Sequence, residues 1–207
     1  MNKFKAFFKA NSSVIMKLVV TQLGITFFAL IVTMAAMGLA DSHDSPFPVA
    51  LASCFSVLFY LFLQFTHMKE HAMKDEIRID AGRMKRNPLT GLYIALIANS
   101  LNILLGVITC VSKLFITNVG YFSQYAEGVN YVPETAVNIS AISQTIAQWL
   151  QAMYQGLVVL IAPGNPLLLL VIVLPSLLVC YATYAVITSG KADQLLAVKP
   201  NKKGDKR

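Results

Sequence analysis

Of 207 residues, 56% are hydrophobic and 13% charged, against about 25% charged in soluble domains, so a water-soluble globular fold is excluded. The length allows four or five membrane spans with their loops and no separate soluble domain of ordinary size. A net charge of +7 does not imply nucleic acid here, because the basic residues stand in short blocks beside apolar runs, the distribution that orients membrane proteins.

The chain opens with a basic lead-in, Met1 to Lys17, whose Phe4, Phe7 and Phe8 suit the headgroup region while the lysines stay in water. The run from Leu18 to Ala40 follows. Its 23 residues exceed the roughly 7–15 of a secretory h-region, so an uncleaved first span is expected despite the small-residue pattern Gly38-Leu39-Ala40. After the loop DSHDS, Ser45 and Pro46 supply an N-cap and a first-turn proline for a second span over 47–66. The polar connector 67–88, HMKEHAMKDEIRIDAGRMKRNP, carries six Lys or Arg and four acids. Asn87-Pro88 opens a third span over 89–112, with Lys113 at its far end placed to snorkel. Asn165-Pro166 repeats that start signal before a last span over 167–188, in which Pro175 removes one helix hydrogen bond and should kink the chain near Val171. Residues 191–207 form a basic tail whose lysines attract anionic lipid. Cys54, Cys110 and Cys180 all fall in apolar runs without metal-type spacing.

Placing the N-terminus, the connector and the tail on one side collects every Lys and Arg except Lys113 there, and leaves Asp41, Asp44, Glu127 and Glu134 on the other. By the positive-inside rule that side is the cytoplasm, both termini included. The apolar segment 136–162 would break this parity if it crossed. Its Gln144, Gln148, Gln151 and Gln155 recur at i, i+4, i+7 and i+11, one helix face, so an amphipathic or re-entrant outer helix is expected, with Trp149 and Tyr154 near the headgroups. The expected fold is an all-α membrane bundle in a single domain, 1–190, with four transmembrane helices plus that outer helix. Five spans is the alternative.

Polar residues in lipid cost free energy unless partnered, so their helical phase marks the face turned toward protein. Gln22, Thr26 and Thr33 share one phase in span 1; Ser53, Ser56, Tyr60 and Gln64 in span 2; Asn99, Asn102, Gly106 and Thr109 in span 3. These stripes can meet in one seam. As packing glue each interhelical hydrogen bond contributes about 0.6 kcal/mol; as a solute path, the candidates are Asn99, Asn102, Gln22, Tyr60 and Gln64. The connector's Arg78, Asp80, Arg83 and Arg86 are candidates for contacting a protein partner. His67-Met68-Lys69-Glu70-His71 matches the H-x-x-E-H zinc pattern, but a catalytic zinc needs a third protein ligand and only Asp75 is near. His67, Glu70 and His71 are therefore weak metal candidates beside an ordinary charged helix with Glu70–Lys74, Asp75–Arg78 and Asp80–Arg83 neighbours. Asn138-Ile139-Ser140 fits a glycosylation acceptor, a short and frequent pattern.

The run KDEIRIDAGRMKRNPLTGL, set between two spans and followed later by a second Asn-Pro-Leu start, resembles a group of small polytopic membrane proteins from anaerobic Gram-positive bacteria with no assigned activity. The resemblance rests on Lys74, Asp75, Arg78, Gly82, Arg83 and Gly91 and implies a bacterial cytoplasmic membrane. From the residues themselves, a non-enzymatic accessory subunit of a transport or envelope complex is expected first. It would act through a membrane-protein partner or a second copy, with no cofactor and no nucleic acid. A small solute transporter or channel is the second expectation, and a membrane metalloenzyme the third.

Overall fold

The computed structural model describes residues 3–43, 47–125, 134–161 and 165–191. The loop with Asp44, Ser45 and Pro46, the segment holding Glu127, and the tail beyond Lys191 lie outside the described residues. Eight α-helices are seen among them: α1 (Lys3–His43), α2 (Phe47–Asp80), α3 (Thr90–Ala98), α4 (Ser100–Tyr125), α5 (Glu134–Leu150), α6 (Gln155–Ile161), α7 (Leu168–Val171) and α8 (Leu174–Val186). The segments Phe4–Ala40, Phe47–Asp80 and Leu168–Gly190 are each long and apolar enough to cross a bilayer, and α3 with α4 makes a fourth if the bent pair is one span. The chain is thus a multi-spanning α-helical membrane protein.

Two helices outrun their apolar lengths. The basic lead-in belongs to α1, and it packs into the bundle through buried Asn11, Val14 and Ile15, with Phe7 edge-on to Tyr93. Only Phe4 and Phe8 keep the exposure expected of headgroup aromatics. The connector, likewise, begins as an unbroken continuation of α2 to Asp80. There Gly82, at φ 71°, stops it: Gly82 N–H donates to Ile79 O and Arg83 N–H to Arg78 O, both at 2.9 Å, a Schellman cap that needs a left-handed residue. The cap carries Arg83 off the helix, and Asp80 and Arg83 form no ion pair with each other, unlike Glu70–Lys74 and Asp75–Arg78.

The two Asn-Pro-Leu signals build the same start. Leu89 N–H donates to Asn87 Oδ1 at 3.1 Å and Leu167 N–H to Asn165 Oδ1 at 3.0 Å, so the side-chain amide satisfies a backbone donor that proline's turn would otherwise leave free. The helices they open are both interrupted. At Asn99 the chain bends by 62° between α3 and α4; the Asn99 side chain donates to Ala95 O at 3.0 Å, the same carbonyl its own N–H uses at 2.9 Å. Such back-bonding crowds one carbonyl and bends a helix. At Ile172–Val173 the ladder tightens, with Val173 N–H on Leu170 O at 3.3 Å, because Pro175 has no N–H to offer Val171.

Packing fixes the directions. α1 and α2 run antiparallel, joined at Thr21–His67 and Lys17–Glu70. α3–α4 runs antiparallel to α7–α8: Gly91 faces Cys180 and Tyr184, and Gly106 faces Leu169 and Leu170. One core cluster joins Val14, Leu18, Met68, Ile94, Cys180 and Tyr184; a second joins Ile25, Ala29, Tyr60, Met153 and Tyr154. The second depends on a reversal. α5 descends along α4 from Ser143, bonded by Thr109 at 3.0 Å, to Leu150, whose carbonyl accepts from Thr26 at 2.9 Å. A 3₁₀ turn at Ala152–Tyr154 then sends α6 back toward the start of α2, where Gly156 N–H meets Ser53 Oγ at 2.9 Å. Tyr154, expected near the headgroups, is therefore buried at the tip of a helical hairpin. Trp149 stays exposed.

Candidate functional site: a polar junction among broken helices

Every residue of the three phased stripes, Gln22, Thr26, Thr33, Ser53, Ser56, Tyr60, Gln64, Asn99, Asn102 and Thr109, is buried, as is Gly106. They turn toward protein because the opposite faces, with Phe27, Ile31, Leu58, Phe62, Leu101 and Leu104 exposed, are the ones that lipid solvates without cost.

Side chains from α2 and from the α3–α4 bend converge on Ser176, one residue past Pro175. Its hydroxyl accepts from Gln64 Nε2 at 2.8 Å and from Asn99 Nδ2 at 3.1 Å, and Tyr60 stands beside Ser176 and Gln64. Asn102 Nδ2 extends the chain to Asn99 Oδ1 at 3.3 Å. From the hairpin tip, Gln151 Nε2 donates to Leu169 O at 3.2 Å. Around these groups lies a void of about 10 Å³ lined by Gln22, Tyr60, Asn99, Asn102, Gln151, Tyr154 and Ser176 among others. That is about the least that admits one water-sized particle.

Three buried atoms on the lining residues have no hydrogen-bond partner, Asn102 Oδ1, Gln151 Oε1 and the Tyr154 hydroxyl, and Gln64 Oε1 nearby is the same. An unpaired buried polar atom costs about 1–3 kcal/mol, so these four make the junction the least satisfied part of the described interior. Along α1 the junction begins at Gln22, about 7.5 Å beyond Lys17, and along α8 Ser176 lies about 18 Å from Thr188, at 1.5 Å per residue. The bend at Asn99, the 3₁₀ turn at Ala152–Tyr154 and the tightened turn at Ile172–Val173 all border this void. Of the expected seam residues, Gln22, Tyr60, Asn99 and Asn102 share the void and Gln64 adjoins it. Ser176, Gln151 and Tyr154 complete it.

A second polar cluster lies toward the connector. Asp75, 2% exposed, accepts from Tyr184 OH at 2.9 Å and from Arg78 at 3.2 Å, with His71 Nε2 at 3.4 Å. His71 Nε2 also faces Asn11 Oδ1 at 3.0 Å. Burial pulls the His71 imidazole below its ordinary pKa, with Asp75 opposing. Arg78 is thus tied to α2 itself, whereas Asp80, Arg83 and Arg86 are exposed.

The H-x-x-E-H residues have diverging partners: His67 bonds Thr21, Glu70 pairs with Lys74 and Lys17, and His71 turns to Asn11 and Asp75. Among the described residues no three of His, Cys, Asp or Glu gather as a metal site. Comparison of the chain with protein-family models, curated proteins and solved structures yields no match.

Proposed function

We propose that this chain is a small membrane carrier or channel whose solute site is the polar junction, with four spans, α5–α6 as a re-entrant outer hairpin, and both termini in the cytoplasm. One observation carries the reading: a sharply bent helix pair, a 3₁₀ turn and a proline-tightened helical turn border one water-sized void edged by unpartnered oxygens. Irregular backbone at membrane depth is tolerated where it is buried in protein or lines a hydrated path, and discontinuous helices with exposed carbonyl and amide oxygens are how transporters build mid-membrane sites.

The chemistry narrows the solute. The donors are neutral amide and hydroxyl oxygens without a carboxylate in the ring, which suits a monovalent cation better than Ca²⁺ or Mg²⁺, whose sites draw on carboxylates. In proteoliposomes, flux of Na⁺, K⁺ or ammonium is expected to fall about tenfold in Asn99→Leu and again in Asn102→Leu, the loss of one interaction of about 1.4 kcal/mol each. Both variants should still elute as folded protein. Absence of flux for all three cations in the parent protein would defeat the reading. The exposed Asp80, Arg83 and Arg86 would then favour an accessory role, tested by cross-linking from Arg83 in native membranes.

A further inference from the structure

Between the first turns of α1 and the polar end of α2 lies a groove of about 180 Å³ lined by Ala10, Asn11, Ser13, Val14, Lys17, His67, Glu70, His71, Lys74 and Arg78. At about 30 Å³ per water in the liquid, it has room for a group of several heavy atoms, far more than the junction void holds. Its floor is fixed by side chains that hold one another in place. Thr21 and His67 bond across it at 3.0 Å, His71 and Asn11 do the same at 3.0 Å, and Asn11 Nδ2 is anchored on Phe7 O at 2.9 Å.

Charge decides what the groove takes. Lys17, Lys74 and Arg78 bring three positive charges to it. Glu70 answers two of them from the rim, at 3.4 Å to Lys17 and 2.6 Å to Lys74, and the two lysines hold its carboxyl below the usual range, Lys74 more strongly. Asp75 answers Arg78, but its other oxygen is engaged by Tyr184 OH. The groove keeps one positive charge in excess, with the Ser13 hydroxyl and several ammonium and guanidinium N–H groups around it. A phosphodiester carries one negative charge and only acceptor oxygens.

Position points the same way. The groove sits where the apolar run of α1 begins, and above it Met16, Val20, Leu23 and Phe27 make one exposed apolar track on α1, while Phe62 and Phe65 are exposed on α2. A headgroup held by Lys17 and Lys74 would have its acyl chains beside those residues. The geometry points to a site for a phosphate-bearing anion in this groove, the headgroup of an anionic phospholipid being the source that the adjoining apolar tracks favour. Basic pockets between helices at the cytoplasmic surface are suited to such headgroups.

The test uses the full chain purified in mild detergent, with native mass spectrometry and thermal unfolding read in parallel. Phosphatidylglycerol, phosphatidylcholine and free inorganic phosphate are added separately at matched ionic strength. Phosphatidylglycerol is expected to be retained and to raise the melting temperature, phosphatidylcholine not. Retention should weaken by about fivefold per lysine removed in Lys17→Gln with Lys74→Gln, and hold in the charge-matched pair Lys69→Gln with Lys85→Gln. Stabilisation by inorganic phosphate that the Lys17 and Lys74 pair abolishes would keep the anion site and assign it to the soluble source. Equal retention of phosphatidylcholine, equal loss in both double variants, or no stabilisation by either anion would overturn the proposal. Because the readout is binding, it stands or falls independently of any flux measurement.

Discussion

Gly91→Val is expected to cost a large share of the stability of the fold. A Cβ at position 91 would stand 2.5 Å from Tyr184 Cβ and 2.7 Å from the Cys180 carbonyl oxygen, so the obstruction is partly backbone and cannot be relieved by a rotamer change. α3 would have to leave α8, and with it the cluster of Leu18, Met68, Ile94 and Tyr184 loses a wall. Overpacking of ordinary cores costs about 1–3 kcal/mol and sometimes more; here about 3 kcal/mol or more is expected, a fall in melting temperature of roughly 6–12 °C for a domain of this size. Gly24→Val is the control, since nothing lies within 4 Å of a Cβ there. Thermal unfolding in one detergent compares the two. Equal melting temperatures would mean that α3 and α8 do not pack as described.

The second large effect belongs to Asp75. Its carboxylate is shared by Tyr184, Arg78 and His71, and the Tyr184 hydroxyl is the partner with least access to water, since Arg78 reaches the surface. Asp75→Ala removes a charge-assisted hydrogen bond of about 1.5–3 kcal/mol and strands that hydroxyl. Tyr184→Phe should cost less, about 1 kcal/mol, because it deletes the orphan along with the bond. The double variant should therefore be less damaged than the two losses combined, by about 1 kcal/mol or more of coupling. Strict additivity in denaturant or thermal titrations would show that the two side chains do not interact in solution.

Legibility in the sequence followed the cost of polar groups in lipid. Gln22, Tyr60, Gln64, Asn99 and Asn102 were readable as one seam because a polar side chain in an apolar run has few affordable places, and helical phase then names the face. The same logic extends to the last span, where Ser176, Cys180 and Thr183 share a buried face; Ser176 could have been found there, but the proline beside it draws attention first. The hairpin tip was harder. Gln151 stood out by its periodicity, yet the reversal at Ala152–Tyr154 contains no glycine or proline, with Gly156 only after it, and is held by tertiary bonds from Thr26 and Ser53, which no local pattern encodes. Asp75 read as one more charge on a solvated helix, because its burial comes from α8, more than a hundred residues later in the chain. The two Asn-Pro-Leu starts were local signals and behaved as such, whereas the stop at Gly82 went unread within the polar connector.

In the proposed function the hairpin enters and leaves by one face, and so brings Gln151 and Tyr154 to the junction without crossing. Single cysteines placed at Glu134, Asn165 and Arg83, in a background with Cys54, Cys110 and Cys180 replaced by Ala, can be probed with a membrane-impermeant maleimide on intact cells. Residues 134 and 165 should both label from outside, and residue 83 only after permeabilisation. Labelling of 134 and 165 from opposite sides would make the hairpin a crossing and contradict the account.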